Sequence, residues 1–191
     1  MRSGTPLAVG LLVVGLACSC SRESAPAPAP APAPTPAPTP APAPTPAPAQ
    51  SLGDEDRRAL VEILGAYEEI HAVLAADRIE GIPASAGRIT AEATRLAPVV
   101  PAALRPHLTG LAETSRSLAA ATTLADARLK FGEVSRHAVA LVEAIPELQQ
   151  GRRVFECSMV PTGYRRWVQT GPGVANPYYG SEMLTCGSPV D

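Results

Sequence analysis

The sequence predicts a mainly α-helical fold, an antiparallel four-helix up-down bundle followed by a small, loop-rich C-terminal segment with short β-strands. The residues beyond position 50 are rich in Ala and Leu and poor in aromatic residues, which favours helices. Four stretches repeat apolar residues at spacings of three and four, which is the period of an amphipathic helix. The connections between these stretches are shorter than about ten residues, as is typical of antiparallel neighbours in a bundle.

The chain begins with the features of a secretory leader. Arg2 precedes an apolar run, residues 7–17, which has the length of a signal-peptide core and is too short to span a bilayer. A small residue followed by Cys after such a run resembles the cleavage box of bacterial lipoproteins, in which the Cys becomes the lipidated first residue. We therefore interpret residues 1–17 as a lipoprotein signal peptide, with Cys18 as the lipidation site and Cys20 as the second choice. Plain secretion without a lipid is the alternative.

Residues 18–50 are interpreted as an extended linker, because Ala-Pro repeats occupy positions 25–49. Proline fixes φ and removes the amide donor, so this composition forms neither a helix nor a sheet. A stiff spacer of the polyproline type rises roughly 3 Å per residue, or about 75 Å over the repeats. With a lipid on Cys18, the spacer would hold a domain away from the membrane on the periplasmic side. The lipoprotein resemblance, with Ser19 after the Cys, implies the outer rather than the inner membrane.

The four-helix bundle is predicted for residues 51–150. Asp54 and Glu55 supply a favourable acidic start to the first helix. Thr123 and Asp126 fit a capping box at the start of the fourth. The breaks between helices are marked by Gly81 with Pro83, by Pro98, Pro101 and Pro106, and by Pro146. The apolar stripes run through Leu60, Leu64, Tyr67 and Leu74; Ala86, Ile89, Ala93 and Leu96; Leu104, Leu108, Leu111 and Leu118; and Leu124, Phe131, Val134, Ala138 and Leu141.

Residues 151–191 form a C-terminal segment that contains two cysteine–methionine pairs. If residues 152–159 are a strand, Cys157 and Met159 share one face of it. Met183 and Cys186 are three residues apart, which one helical turn or a tight loop brings to the same side. Folding the segment back around the turn Asn-Pro-Tyr-Tyr-Gly would bring the four sulfur atoms together.

Two interpretations of these four residues follow, and the spacing leaves both open. Thiolate and thioether ligands suit Cu(I) or Ag(I) better than zinc, whose protein ligands are Cys, His and carboxylate. Two cysteines in an oxidising compartment also often pair as a disulfide, and methionine is an ordinary filler of irregular cores. If Cys157 and Cys186 pair, no cofactor is expected. Trp167 would contact a bound cation through its ring face, or pack the segment against the helices.

Beyond these residues, the chain resembles a domain-of-unknown-function family that occurs alone in periplasmic proteins or at the C-terminus of heavy-metal efflux adaptors. The resemblance covers residues 55–188 and implies a context of copper and silver handling, with heavy-metal efflux components as partners. Ser158 stands where the family has proline, and Glu156 where some relatives have histidine, which leaves an all-sulfur site intact. The matching positions are Cys157, Met159, Trp167, Asn176, Pro177, Tyr178, Tyr179, Gly180, Met183, Cys186 and Gly187.

The charge and the motif content weigh against several other functions. A formal net charge of −2 gives no indication of nucleic-acid binding. The sequence offers no Ser/His/Asp spacing, phosphate-cradling Gly loop or His-rich metal triad, so we expect neither an enzyme nor a small-molecule substrate. His71 and His137 fall on or near apolar stripes and are interpreted as core or boundary residues, whereas His107 in a first turn is expected to be exposed. The sequence thus predicts a lipid-anchored soft-metal binding protein, or an interaction or structural module stapled by Cys157–Cys186.

Overall fold

The structure, a computed structural model, describes residues 52–190. The predictions for residues 1–51, including the signal peptide, Cys18, Cys20 and the whole linker, lie outside the described residues. The helices are α1 (Asp54–Ala75), α2 (Ile82–Leu96), α3 (Arg105–Ala119) and α4 (Leu124–Ala144), and the strands are β1 (Arg152–Glu156), β2 (Arg166–Thr170) and β3 (Ser188–Val190). Short 3₁₀ turns at Pro146–Gln149 and Gly180–Glu182 complete the regular structure.

The prediction of four helices is confirmed, and local chemistry explains their ends. Thr123 caps α4, because its side-chain oxygen accepts a hydrogen bond from the amide of Asp126 at 3.2 Å. Gly81 directly precedes α2 with a φ of 87°, a left-handed conformation that glycine adopts without steric cost. Pro106 lies in the first turn of α3, where the missing amide donor has no helical partner to lose. None of the helices in residues 52–190 is long and apolar enough to cross a membrane.

Consecutive helices pack against each other and enclose most of the apolar stripes. Ala86, Ala93 and Ala138 are fully buried, as expected for small residues that let helix backbones approach closely. Tyr67 of α1 stacks on Phe131 of α4 with ring centroids 5.0 Å apart. This stacking joins the first helix to the last, and strand β2 contacts both of them.

The three strands form one antiparallel sheet in the order β2-β1-β3, and β2 packs on α4. In its register, Phe155 of β1 pairs with Trp167 of β2. Both side chains belong to the same buried core as the helices. The amide of Val168 donates a hydrogen bond to the Tyr67 hydroxyl at 3.2 Å, which fixes β2 to α1. The C-terminal segment is therefore part of the helical core.

The predicted strand over residues 152–159 is correct only as far as Glu156. The chain then turns, because the amide of Val160 bonds back to the carbonyl of Cys157 at 3.3 Å. Two further strands, β2 and β3, form in a stretch that the sequence marks as loop-rich. Their pairing is between residues distant along the chain, so local composition carries little information about it.

Candidate functional site

Cys157 and Cys186 form a disulfide that closes the C-terminal segment. Cys157 follows β1 and Cys186 lies two residues before β3, so the pairing of Glu156 with Ser188 sets the two cysteines side by side. Their Cα atoms are 5.8 Å apart, within the usual range for a disulfide. Cys157 is fully buried and Cys186 is partly buried. In this state neither sulfur is a thiolate, the form that binds a soft metal.

Met159 is not enclosed together with the two cysteines. Met159 is 56% exposed, because the turn that begins at Cys157 ends the strand that would have aligned the two side chains. Met183 is partly buried and follows the 3₁₀ turn, and its carbonyl accepts a hydrogen bond from the amide of Cys186 at 2.9 Å. The structure thus brings the two cysteines together but leaves Met159 facing solvent. Within residues 52–190, no group of three or more His, Cys, Asp or Glu residues is arranged to hold a metal ion.

Asn176 organises the Asn-Pro-Tyr-Tyr-Gly turn from a fully buried position. Its side-chain nitrogen donates to the carbonyl of Cys186 at 2.8 Å. Its side-chain oxygen accepts from the amides of Tyr178 at 2.8 Å and Tyr179 at 3.3 Å. One amide therefore joins the turn to the disulfide, a role that the sequence alone does not assign.

Trp167 is a fully buried packing residue. One ring face stacks on Phe155 with centroids 5.7 Å apart, and Tyr178 meets it edge-on at 5.9 Å. The indole nitrogen donates to Gln169 at 2.8 Å. Gly187 passes so close that a Cβ there would overlap the far end of the indole. The sequence offered two roles for Trp167. These contacts make it a packing residue of the C-terminal segment, and it belongs to the same buried core as the helices.

Polar contacts bind the segment to the end of α1. Asp77, just beyond α1, accepts hydrogen bonds from the amide of Ser181 at 3.0 Å and from Arg128 of α4 at 2.6 Å. The hydrogen bonds from Ser181 and then Arg128 lower the pKa of Asp77 to about 2. His71 donates from Nε2 to the carbonyl of Ala175 at 2.7 Å, and burial lowers the pKa of this imidazole. His71 is therefore a boundary residue with its hydrogen bond satisfied, as the sequence predicts.

An open groove of about 240 Å³ lies between the start of α4 and the C-terminal segment. We call it the tyrosine groove. Apart from Arg128, Thr162 and Gly163, its lining is apolar or aromatic: Leu129, Val160, Pro161, Tyr164, Tyr178 and Tyr179.

The tyrosine rings are held in place before any ligand arrives. The hydroxyl of Tyr178 donates to the carbonyl of Arg166 and that of Tyr179 to the carbonyl of Met159, both at 2.6 Å. Arg136 stacks over the Tyr164 ring at 4.9 Å from its centroid. Burial raises the pKa of Tyr164 and Tyr178, so both rings remain neutral at physiological pH.

The only charged residue that lines the groove, Arg128, has its charge compensated. Its guanidinium pairs with Asp77 and also donates to the carbonyls of Leu74 and Pro177, each at 3.1 Å. The groove is therefore electrically neutral and largely apolar. Leu129 at its edge is 57% exposed, and Met159, whose carbonyl binds Tyr179, is 56% exposed. An apolar concavity with exposed apolar side chains at its margin is typical of a contact site for another protein.

Comparison of the chain with protein-family models, with curated proteins and with solved structures finds no match. The sequence singled out Tyr178 and Tyr179 through the turn motif but did not indicate the groove. The other walls of the groove come from the 160–164 loop and from Leu129, which lies on the face of α4 opposite its apolar stripe. An apolar residue on the polar face of α4 is the one signal of the groove that the sequence carries.

Proposed function

We propose that this chain is a non-catalytic interaction module of the bacterial cell envelope. In this proposal its tyrosine groove binds an extended, uncharged, proline-containing segment of another envelope protein. The observation that carries the proposal is the neutral, aromatic groove, one wall of which belongs to the segment closed by Cys157–Cys186. A disulfide is also the form expected of paired cysteines in an oxidising compartment.

The chemistry of the groove supports this choice of ligand. A charged segment would have to give up its hydration against apolar walls without finding an opposite charge, because Asp77 already neutralises Arg128. Proline-rich segments dock into aromatic-lined grooves, since their extended conformation is already formed in the free peptide. The tyrosine hydroxyls hold their rings in fixed positions, which lowers the entropy lost on binding.

The remaining predictions complete the proposal. The lipoprotein leader, with lipid on Cys18 or Cys20, and the linker would place the domain at a distance from the membrane on the periplasmic side, with the outer membrane favoured. The four helices are taken to run up and down in an antiparallel bundle, with consecutive helices as neighbours. The resemblance to the domain family found alone in periplasmic proteins or at the C-terminus of efflux adaptors makes heavy-metal efflux components the first partners to examine.

The test of the groove is a peptide titration followed by NMR. An uncharged peptide that alternates proline with small apolar residues should shift the signals of Gly163 and Tyr164, while an acidic peptide of equal length should not. Replacing Leu129 by Asp should weaken the binding at least about tenfold, because the new carboxylate must be desolvated at the groove edge. Val99→Asp is the matched control, since Val99 is 61% exposed and does not line the groove. Equal effects of the two Asp variants, or unshifted groove signals, would contradict the proposal.

A second candidate function is the sequestration or transfer of Cu(I) or Ag(I) by the reduced protein. The closeness of Cys157 and Cys186 favours it, because reduction would leave two thiols next to each other with Met159 and Met183 nearby in the sequence. Thiol counting on protein taken from the envelope under denaturing, non-reducing conditions gives the state in the cell. If Cys157 and Cys186 are both free thiols there, the reduced protein should bind Cu(I) through them and the Cys157→Ser/Cys186→Ser variant should not. If they are oxidised, the groove function stands alone.

A further inference from the structure

Two histidines lie side by side at the contact between α3 and α4, away from the tyrosine groove. His107 is in the first turn of α3 and His137 is in the middle of α4. Their ring centroids are 6.1 Å apart and the ring planes are tilted by 55°. His107 is partly buried in this pair, which corrects the expectation that it is simply exposed. The chain has three histidines, and the third, His71, is occupied by the carbonyl of Ala175.

The nitrogen-bearing edge of the His137 ring faces α3. Gly110 lies opposite it, and a Cβ at Gly110 would overlap Cε1, Nε2 and Nδ1 of His137. His107 is three residues before Gly110, so both lie on the same face of α3 about one turn apart. The absence of a side chain at Gly110 therefore lets the nitrogens of His137 approach the part of α3 that carries His107.

His137 also has an unused ligand atom. Its Nδ1 is buried and has no hydrogen-bond partner among the residues that the structure describes. A buried polar atom without a partner is unusual in a folded protein and calls for an explanation. A neutral imidazole has a free lone pair on one of its two ring nitrogens, and a metal ion needs such a lone pair.

We propose that His107 and His137 form a two-imidazole site for a monovalent cation with a filled d shell, Cu(I) or Ag(I). The separation of the rings leaves room for one ion between them when a nitrogen of each ring faces it. With the zinc–imidazole bond length of about 2.0–2.1 Å as a guide, a linear arrangement places the ring centroids about 6.3 Å apart and a tetrahedral angle about 5.2 Å apart. The observed 6.1 Å is compatible with the linear arrangement, which monovalent copper and silver adopt with two ligands.

The site uses residues separate from the cysteine–methionine pairs, and it does not require reduction of the disulfide. The test is therefore made on the oxidised mature chain, with silver nitrate in chloride-free buffer as the probe. NMR signals of the ring carbons report on each of the three histidines separately. The signals of His107 and His137 should shift together and saturate at the same silver concentration, while the signal of His71 stays in place. Coupling between silver and a nitrogen of each ring would show direct coordination without any variant.

Variants separate this site from other soft donors. His107→Gln should lower the silver affinity reported by His137 at least about tenfold, since even the loss of an outer-sphere partner of a metal site costs about 10–100-fold. Met159→Leu removes an exposed thioether elsewhere and should leave the histidine shifts unchanged. Thermal melting of His107→Gln checks that the helices still pack. The proposal is overturned if the two histidine signals do not move with silver, or if His137 responds as tightly in His107→Gln as in the parent.

Discussion

Removing the Cys157–Cys186 disulfide should destabilise the whole domain, because the segment that it closes is part of the common core. The two residues are separated by 29 positions in the sequence. Closing a loop of this length in the unfolded chain accounts for about 3.5 kcal/mol of stability in the chain-entropy model. For a domain of this size, that difference corresponds to a fall in melting temperature of about 7–14 °C. The variant for the test is Cys157→Ala/Cys186→Ala.

The assay is urea unfolding followed by the fluorescence of Trp167, which is the only tryptophan and is packed beside the disulfide segment. The parent should lose about 3.5 kcal/mol of unfolding free energy when reductant is added. The double variant should match the reduced parent and should not respond to reductant, which controls for effects of the reagent itself. A parent that unfolds at the same urea concentration with and without reductant would refute the reasoning. So would a variant as stable as the oxidised parent.

Three further changes test the contacts around the site. Asn176→Ala should lower the free energy of unfolding, measured in urea, by about 2–4 kcal/mol, because it leaves the carbonyl of Cys186 and two backbone amides without partners in a buried place. A loss below about 1 kcal/mol would contradict this role. The pKa of Asp77 is lowered to about 2, below its unfolded value, so the stability that its carboxylate contributes is present above the unfolded pKa and is lost as the pH falls towards 2. The melting temperature of Asp77→Asn should therefore approach that of the parent at the acid end of the range. A constant difference in melting temperature at every pH would contradict the assignment. Gly110→Ala should destabilise the domain, since its Cβ would overlap the His137 ring. Gly87→Ala is the control: it lies on an exposed part of α2 with open space around it and should gain about 0.5–1 kcal/mol from helix propensity. Equal effects of the two substitutions in thermal melts would show that the packing of the His137 ring does not require glycine at position 110.

The helical part of the fold could be predicted from the sequence because its signals are local. The spacing of Leu60, Leu64 and Tyr67 defines one buried face of α1, and all three are fully buried. The cap at Thr123 and the prolines at positions 106 and 146 act within one turn of the chain, so they define helix ends without knowledge of the tertiary structure. The four helices therefore occur where their periodic patterns indicate.

The C-terminal segment was harder to predict because its structure depends on distant contacts. The pair Cys157 and Met159 has strand-like spacing, but the turn at Cys157 separates the directions of the two side chains. β2 exists because Trp167 and Val168 can be buried against α4 and Tyr67, which lies about a hundred positions earlier in the chain. No pattern within residues 160–170 contains that information.

The sequence by itself determined the four amphipathic helices, their ends, and the concentration of sulfur-bearing residues in the last part of the chain. Only the tertiary structure decided that Cys157 and Cys186 bond to each other, that Met159 faces solvent, and that His107 meets His137 across two helices. The physical reason is that helix formation depends on residues three or four positions apart. Partners for sulfur atoms and imidazole rings are chosen by how the faces of separate elements pack together.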